Sequence, residues 1–141
     1  MSRVLGLDWG TRRIGVAVSD DRRGLAVGYA VWPANEAEFL PLLKRAIADE
    51  DIGLIVVGYP LTLRGEQGKS TQAVNLFIER LQPLGIPITR ADERYTSQEA
   101  SADLTRIGIS QKKQRGKLDM AAAVLLLQSF LDQENRTRQH D

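Results

Sequence analysis

The chain has 141 residues, 43% of them apolar and 26% charged, which suits one compact domain and leaves little room for a second. It contains no cysteine, which excludes thiolate catalysis, zinc–thiolate sites and iron–sulfur clusters; at this length a core burying roughly two-thirds of the unfolded surface needs no disulfide or structural metal. A formal net charge of +1 is too small to draw a polyanion to the whole surface, so any nucleic-acid contact must come from local clusters.

In chain order, Met1 to Asp8 reaches an acid before a signal-peptide apolar core could form, and no stretch is long enough to span a bilayer, so a cytoplasmic setting without a membrane partner is expected. Arg3 to Asp8, Ile14 to Ser19 and Leu25 to Trp32 read as strands. Their short connections, Gly10 to Arg13 and Asp20 to Gly24, predict an antiparallel meander. Phe39, Leu43, Ala46 and Ile47 are spaced for a helix over Glu36 to Glu50, with Asn35 as its cap. The apolar run Ile52 to Val57 suits a strand covered on both faces. After a loop holding Gly65 and Gly68, Ala73, Phe77 and Leu81 predict a helix over Ser70 to Leu84, ended by Gly85. A strand over Ile86 to Ala91, a helix capped by Thr96 or Ser97 and running to about Ile107, and a last helix over Lys117 to Gln133 complete the series. The expectation is an α/β fold with a five-stranded mixed sheet, its first three strands antiparallel and helices on its faces, forming one domain over 1–134 with a flexible tail at 135–141.

Three acids stand out against these elements. Asp8 ends an apolar strand on the face shared with Val4 and Gly6, although a turn aspartate satisfied by the amides of Gly10 and Thr11 would look the same. Asp119 opens the apolar stripe Ala122, Ala123, Leu126 and Phe130; a favourable helix dipole accounts for a first-turn acid but not for its choice of the inward side. Glu93 follows a strand end, where open α/β sheets place ligands, although the local sequence also fits an exposed acid paired with Arg94. If that strand continues, Asp92 and Glu93 face opposite ways and only one of them belongs to a site.

Brought together, such acids need cations. Two carboxylates ~4 Å apart repel by about 4 kcal/mol at an effective dielectric of ~20. Oxygen ligands without histidine or cysteine select Mg²⁺ or Mn²⁺, and two such ions can drive hydrolysis of a phosphodiester. His140 lies in the polar end of the chain and no serine has a histidine partner in the ordered part, which argues against a serine triad. Thr11, Arg12 and Arg13 offer donors suited to phosphate, and Gly10 and Gly15 would let the backbone approach a ligand. Arg64, Lys69, Arg94 and the cluster Lys112, Lys113, Arg115 and Lys117, four cations in six residues, are further candidates for backbone contacts; the cluster reads equally well as a solvated loop.

The runs Gly6-Leu7-Asp8-Trp9-Gly10-Thr11-Arg12-Arg13-Ile14-Gly15-Val16-Ala17-Val18-Ser19-Asp20, Gly58-Tyr59-Pro60 with Gly65 and Gly68, Asp92-Glu93-Arg94-Tyr95-Thr96-Ser97 and Lys117-Leu118-Asp119-Met120-Ala121-Ala122 together resemble the bacterial YqgF/RuvX family. Its members are described as pre-16S rRNA nucleases and as Holliday junction resolvase-like proteins. The resemblance covers essentially the whole chain and departs where Tyr95 stands in place of the commoner leucine, a packing position. It implies a ribonuclease H-like fold in which Asp8, Glu93 and Asp119 form one catalytic metal site. The implied activity is a metal-dependent nuclease in 5′ maturation of pre-16S rRNA, with junction resolution in DNA recombination as the alternative and a non-catalytic nucleic-acid-binding module as a further one. The partner is then structured RNA or branched DNA, met by a monomer or a homodimer. Asp8-Trp9-Gly10-Thr11 also looks like the first phosphate loop of sugar kinases and actin-like ATPases, but those enzymes close two such domains around a nucleotide and this chain supplies one.

Overall fold

The computed structural model describes residues 2–59, 69–92 and 111–140. Strands β1 (Arg3–Trp9), β2 (Arg13–Ser19) and β3 (Ala26–Pro33) are followed by helix α1 (Glu36–Asp49), β4 (Ile52–Tyr59), α2 (Lys69–Leu81), β5 (Ile88–Asp92) and α3 (Gln111–His140). The sheet has the order β3-β2-β1-β4-β5. The first three strands form the expected antiparallel meander, while β4 lies parallel to β1 and β5 parallel to β4. The five-stranded mixed sheet is thus as the sequence predicts.

Alternation along the strands divides the core into two layers. Leu5, Leu7, Ile55 and Val57 point to one face, where Phe39 and Leu43 of α1 and Phe77 and Leu81 of α2 cover them. Val4, Ala17 and Val56 point to the other, against Ala123, Leu127 and Leu131 of α3. Strand β4 is therefore buried on both sides, which is why it reads as an uninterrupted apolar run. The α3 face is paved with small residues: Gly6 faces the Leu127 side chain, Gly15 faces the backbone of Asp119 and Gly28 faces Met120. Small residues let the helix lie close to the sheet.

Several element ends differ from expectation. The helix predicted to reach Leu84 stops as α helix at Leu81 and continues as a 3₁₀ turn over Gln82–Leu84, because Pro83 brings no amide to an α-helical bond. Gly85, at φ 75°, then ends it as predicted. Pro87 likewise keeps β5 from starting at Ile86, and its carbonyl instead accepts from the Ile55 amide. Helix α3 is longer at both ends than the predicted 117–133. The cluster Lys112, Lys113, Arg115 and Lys117, which could have been a loop, lies within it; lysine, arginine and glutamine favour helix strongly enough to carry Gly116, whose cost is about 1 kcal/mol. Residues 135–140, expected as a flexible tail, continue the helix, since no glycine or proline follows Gly116 and Asn135 donates from its side chain to the Arg23 carbonyl. The predicted glycine loop at 65–68 and the helix from Thr96 or Ser97 to about Ile107 lie outside the described residues.

Candidate active site

Strand β1 brings Asp8 to its C-terminal end on the α3 face, the parity it shares with Val4 and Gly6. The antiparallel register sets Asp8 opposite Gly15 of β2. Directly opposed residues project to the same side of a sheet, so Gly15 marks the position beside Asp8 on that face. The position is already occupied: a Cβ built on Gly15 would lie 1.9 Å from the carbonyl oxygen of Asp119. Helix α3 thus presses its backbone at Asp119 onto the point of the sheet that adjoins Asp8. Gly15 serves as a seat for the helix, which differs from the ligand approach expected of it; Gly10 serves the hairpin, its amide donating to the Arg13 carbonyl at 2.9 Å.

Arg13 shares this face with Gly15 and Ala17, and its Nε–H donates to Asp119 Oδ2 at 2.5 Å. The side chains are 41% and 28% exposed, so the pair sits at a solvent-accessible rim where a charged ligand can reach it. Arg13 was expected only as a phosphate contact, and its pairing with Asp119 was missed. The signal was available in the alternation that places Arg13, Gly15 and Ala17 on one face. Thr11 and Arg12 are exposed in the connecting hairpin, which is tied down by the Ala34 amide donating to the Arg12 carbonyl at 3.0 Å.

The structure therefore brings Asp8, Asp119, Arg13, Thr11 and Arg12 to one region. Lys112, Lys113, Arg115 and Lys117 occupy the turns of α3 ahead of Asp119, and Lys69 begins α2. Glu93, Arg64 and Arg94 lie outside the described residues. Among the described residues no three acids or histidines converge as metal ligands. Ala91 of β5 packs into the α3-side core.

Groups with shifted protonation lie elsewhere. The amides of Gly24 and Leu25 hold the Asp20 carboxylate below the ordinary value of 3.8 in the β2–β3 turn. Burial, with Glu50 and Asp49 nearby, raises the Tyr29 phenol. A cavity of about 220 Å³ lined by Trp9, Ala34, Phe39, Ala73, Leu76, Phe77 and Arg80 lies on the α1–α2 side, opposite the acids. No helix among the described residues is long and apolar enough to cross a membrane.

Comparison with known proteins bears on the family and the fold. The family model described as "RuvX: Holliday junction resolvase" matches residues 2–133. A protein of Dictyoglomus thermophilum named "Putative pre-16S rRNA nuclease" is 40% identical over 132 residues, covering 92% of this chain and 95% of that one. One of Salinibacter ruber with the same name is 42% identical over 140 residues, covering 96% and 94%. Among solved structures, the fowlpox virus resolvase in complex with Holliday junction DNA superposes with a TM-score of 0.57 at 9% identity, over 93% of this chain and 97% of that one. RuvC of T. thermophilus in complex with a Holliday junction substrate gives 0.54 at 15% identity, over 95% and 96%. At such low identity these two likenesses speak for the fold alone, which is the ribonuclease H-like one.

Proposed function

Because this chain belongs to the RuvX family, we propose that it is a divalent-metal-dependent nuclease that hydrolyses nucleic-acid phosphodiesters in the cytoplasm, acting in 5′ maturation of pre-16S rRNA. The observation that carries the reading is the seating of Asp119 on Gly15, directly beside Asp8. Arg13 pairs with one oxygen of Asp119, and a second acid beside that pair is costly unless further positive charge is supplied.

The residues fit a hard cation. Asp8 and Asp119 contribute only oxygen donors, no thiolate or imidazole stands with them among the described residues, and Asp8 is half-buried while Asp119 lies at the accessible rim with Arg13. Asp119 already draws a cation, the Arg13 guanidinium, to one of its oxygens. Asp8, Asp119 and Glu93 would hold Mg²⁺ or Mn²⁺; Glu93 is assigned by the family resemblance. When bound, a pair of such ions supplies an activated water and stabilises the leaving oxygen. The chain's own part is to hold the acids in place, to neutralise them and to position the phosphate. Thr11 and Arg12 in the hairpin, with Arg64, Lys69, Arg94, Lys112, Lys113, Arg115 and Lys117, bind the substrate backbone without reading its sequence.

The description of the family model as a Holliday junction resolvase favours a second reading, cleavage of branched DNA. Symmetric cutting of a junction calls for a two-fold homodimer, whereas trimming a ribosomal precursor is open to a monomer. The test is a side-by-side assay with Mg²⁺ on RNA spanning the 5′ end of the 16S precursor and on a four-way DNA junction, with the mass in solution measured alongside. Cleavage of the RNA is expected. Cleavage of the junction alone, by a dimer, would replace the ribosomal role, and binding of both without cleavage would make the protein a nucleic-acid-binding module.

A further inference from the structure

The contact between Arg13 and Asp119 engages one of the five N–H donors of the guanidinium. Nε–H donates to Oδ2, and the two terminal nitrogens stand outside that contact. On the acid's side, the contact takes Oδ2 and leaves Oδ1 outside it. The backbone of Arg13 is fixed on both sides: its carbonyl accepts from the Gly10 amide, and it is registered with Pro33 across the β2–β3 pair. A guanidinium is planar, so fixing Nε against one oxygen also fixes where the terminal fork points. Its partial exposure leaves that fork at the rim of the site.

We propose that Arg13 is a positioning residue with two duties, orienting the Asp119 carboxylate through Nε so that Oδ1 is presented to a divalent cation, and offering its terminal nitrogens to a non-bridging oxygen of the substrate phosphate. The inference rests on the metal-site reading above. Ligating carboxylates are commonly held by such outer hydrogen bonds, and fork-like donors match a phosphate better than a single ammonium does. Two opposing effects separate this role from plain electrostatics. Removing a nearby positive charge would by itself tighten cation binding, whereas losing an orienting hydrogen bond weakens it.

The experiment is Mn²⁺ titration calorimetry on the substrate-free protein for wild type, R13K, R13Q and D119N, together with binding of a structured RNA in EDTA over a range of salt. R13Q is expected to weaken Mn²⁺ binding by about tenfold or more. It is also expected to lower the slope of log affinity against log salt by about one. R13K keeps the charge, so its salt slope stays near wild type while Mn²⁺ binding still falls and turnover in Mg²⁺ loses more in kcat than in KM. Thermal melts establish that each variant is folded, and R13K carries the comparison if R13Q is unstable. Unchanged or tighter Mn²⁺ binding in the folded Arg13 variants would overturn the proposal. If wild type binds no Mn²⁺, or D119N binds it as wild type does, the metal-site reading itself has failed.

Discussion

A methyl group added at position 15 would sit 1.9 Å from the carbonyl oxygen of Asp119, 2.5 Å from its carbonyl carbon and 3.3 Å from its Cα. All three are backbone atoms of α3, so no rotamer change relieves the overlap. The helix must withdraw from β2 by about 1 Å, and displacements of that size near reacting groups cost on the order of a hundredfold in rate. Overpacking of a well-filled interface costs about 1–3 kcal/mol, which for a chain of this length corresponds to a fall in Tm of about 4 °C per kcal/mol. Gly28→Ala is the internal control. Its added Cβ would approach the Met120 side chain at 2.8 Å, and a thioether can swing aside. The assay is the initial rate of RNA cleavage in Mg²⁺, with thermal melts of both variants. Gly15→Ala is expected to remain folded, melt lower and lose about two orders of magnitude in rate, while Gly28→Ala keeps a rate close to wild type. A near-normal rate in Gly15→Ala, or an equal loss in both, would refute the claim that Gly15 places Asp119.

Three further outcomes follow from the same structure. Replacing Lys112, Lys113 and Arg115 by alanine should weaken nucleic-acid binding and flatten its salt dependence by about one unit of slope for each phosphate no longer neutralised; an unchanged slope would remove the start of α3 from the interface. Asp20→Ala should melt below wild type at neutral pH. The folded pKa of Asp20 is depressed, so its stabilisation is present above the ordinary value of 3.8 and is lost as pH falls through the folded value; the gap in Tm should therefore close in acid. Gln128 accepts from the Ala26 amide and donates to the Gly24 carbonyl, both at 2.9 Å, standing in for a strand partner beside β3. Gln128→Ala should lower stability by about 1–2 kcal/mol in urea titration and speed amide exchange at Ala26.

The fold was legible wherever one periodicity dominated. The apolar run of β4 announced a strand covered on both sides, and the short links between the first three strands announced their antiparallel pairing. Element ends were harder, because Pro83 and Pro87 act on single hydrogen bonds that averaged patterns do not register. The length of α3 was hidden for a different reason: its first turns are rich in cations and its last in polar residues, so only its middle carries the apolar stripe. Of the proposed site, Asp8 and Asp119 could be read from acids placed on inward faces. Glu93 could not be read without the family motif, since strand parity alone left Asp92 and Glu93 open. What the sequence concealed was the relation between elements. That Gly15 receives a helix backbone, and that Arg13 answers to Asp119 across 106 positions of chain, depends on where α3 crosses the sheet.

The central claim is that Asp8, Glu93 and Asp119 act together as the metal-dependent catalytic group of a nuclease. The measurement that meets it most directly is cleavage of a 16S precursor RNA by wild type, Asp8→Asn, Glu93→Gln and Asp119→Asn, each purified identically and assayed in Mg²⁺, in Mn²⁺ and in EDTA. Cleavage by wild type in either metal, none in EDTA and none by any of the three folded variants is the expected result. Cleavage that persists in EDTA, or that survives the loss of all three carboxylates, would contradict the account.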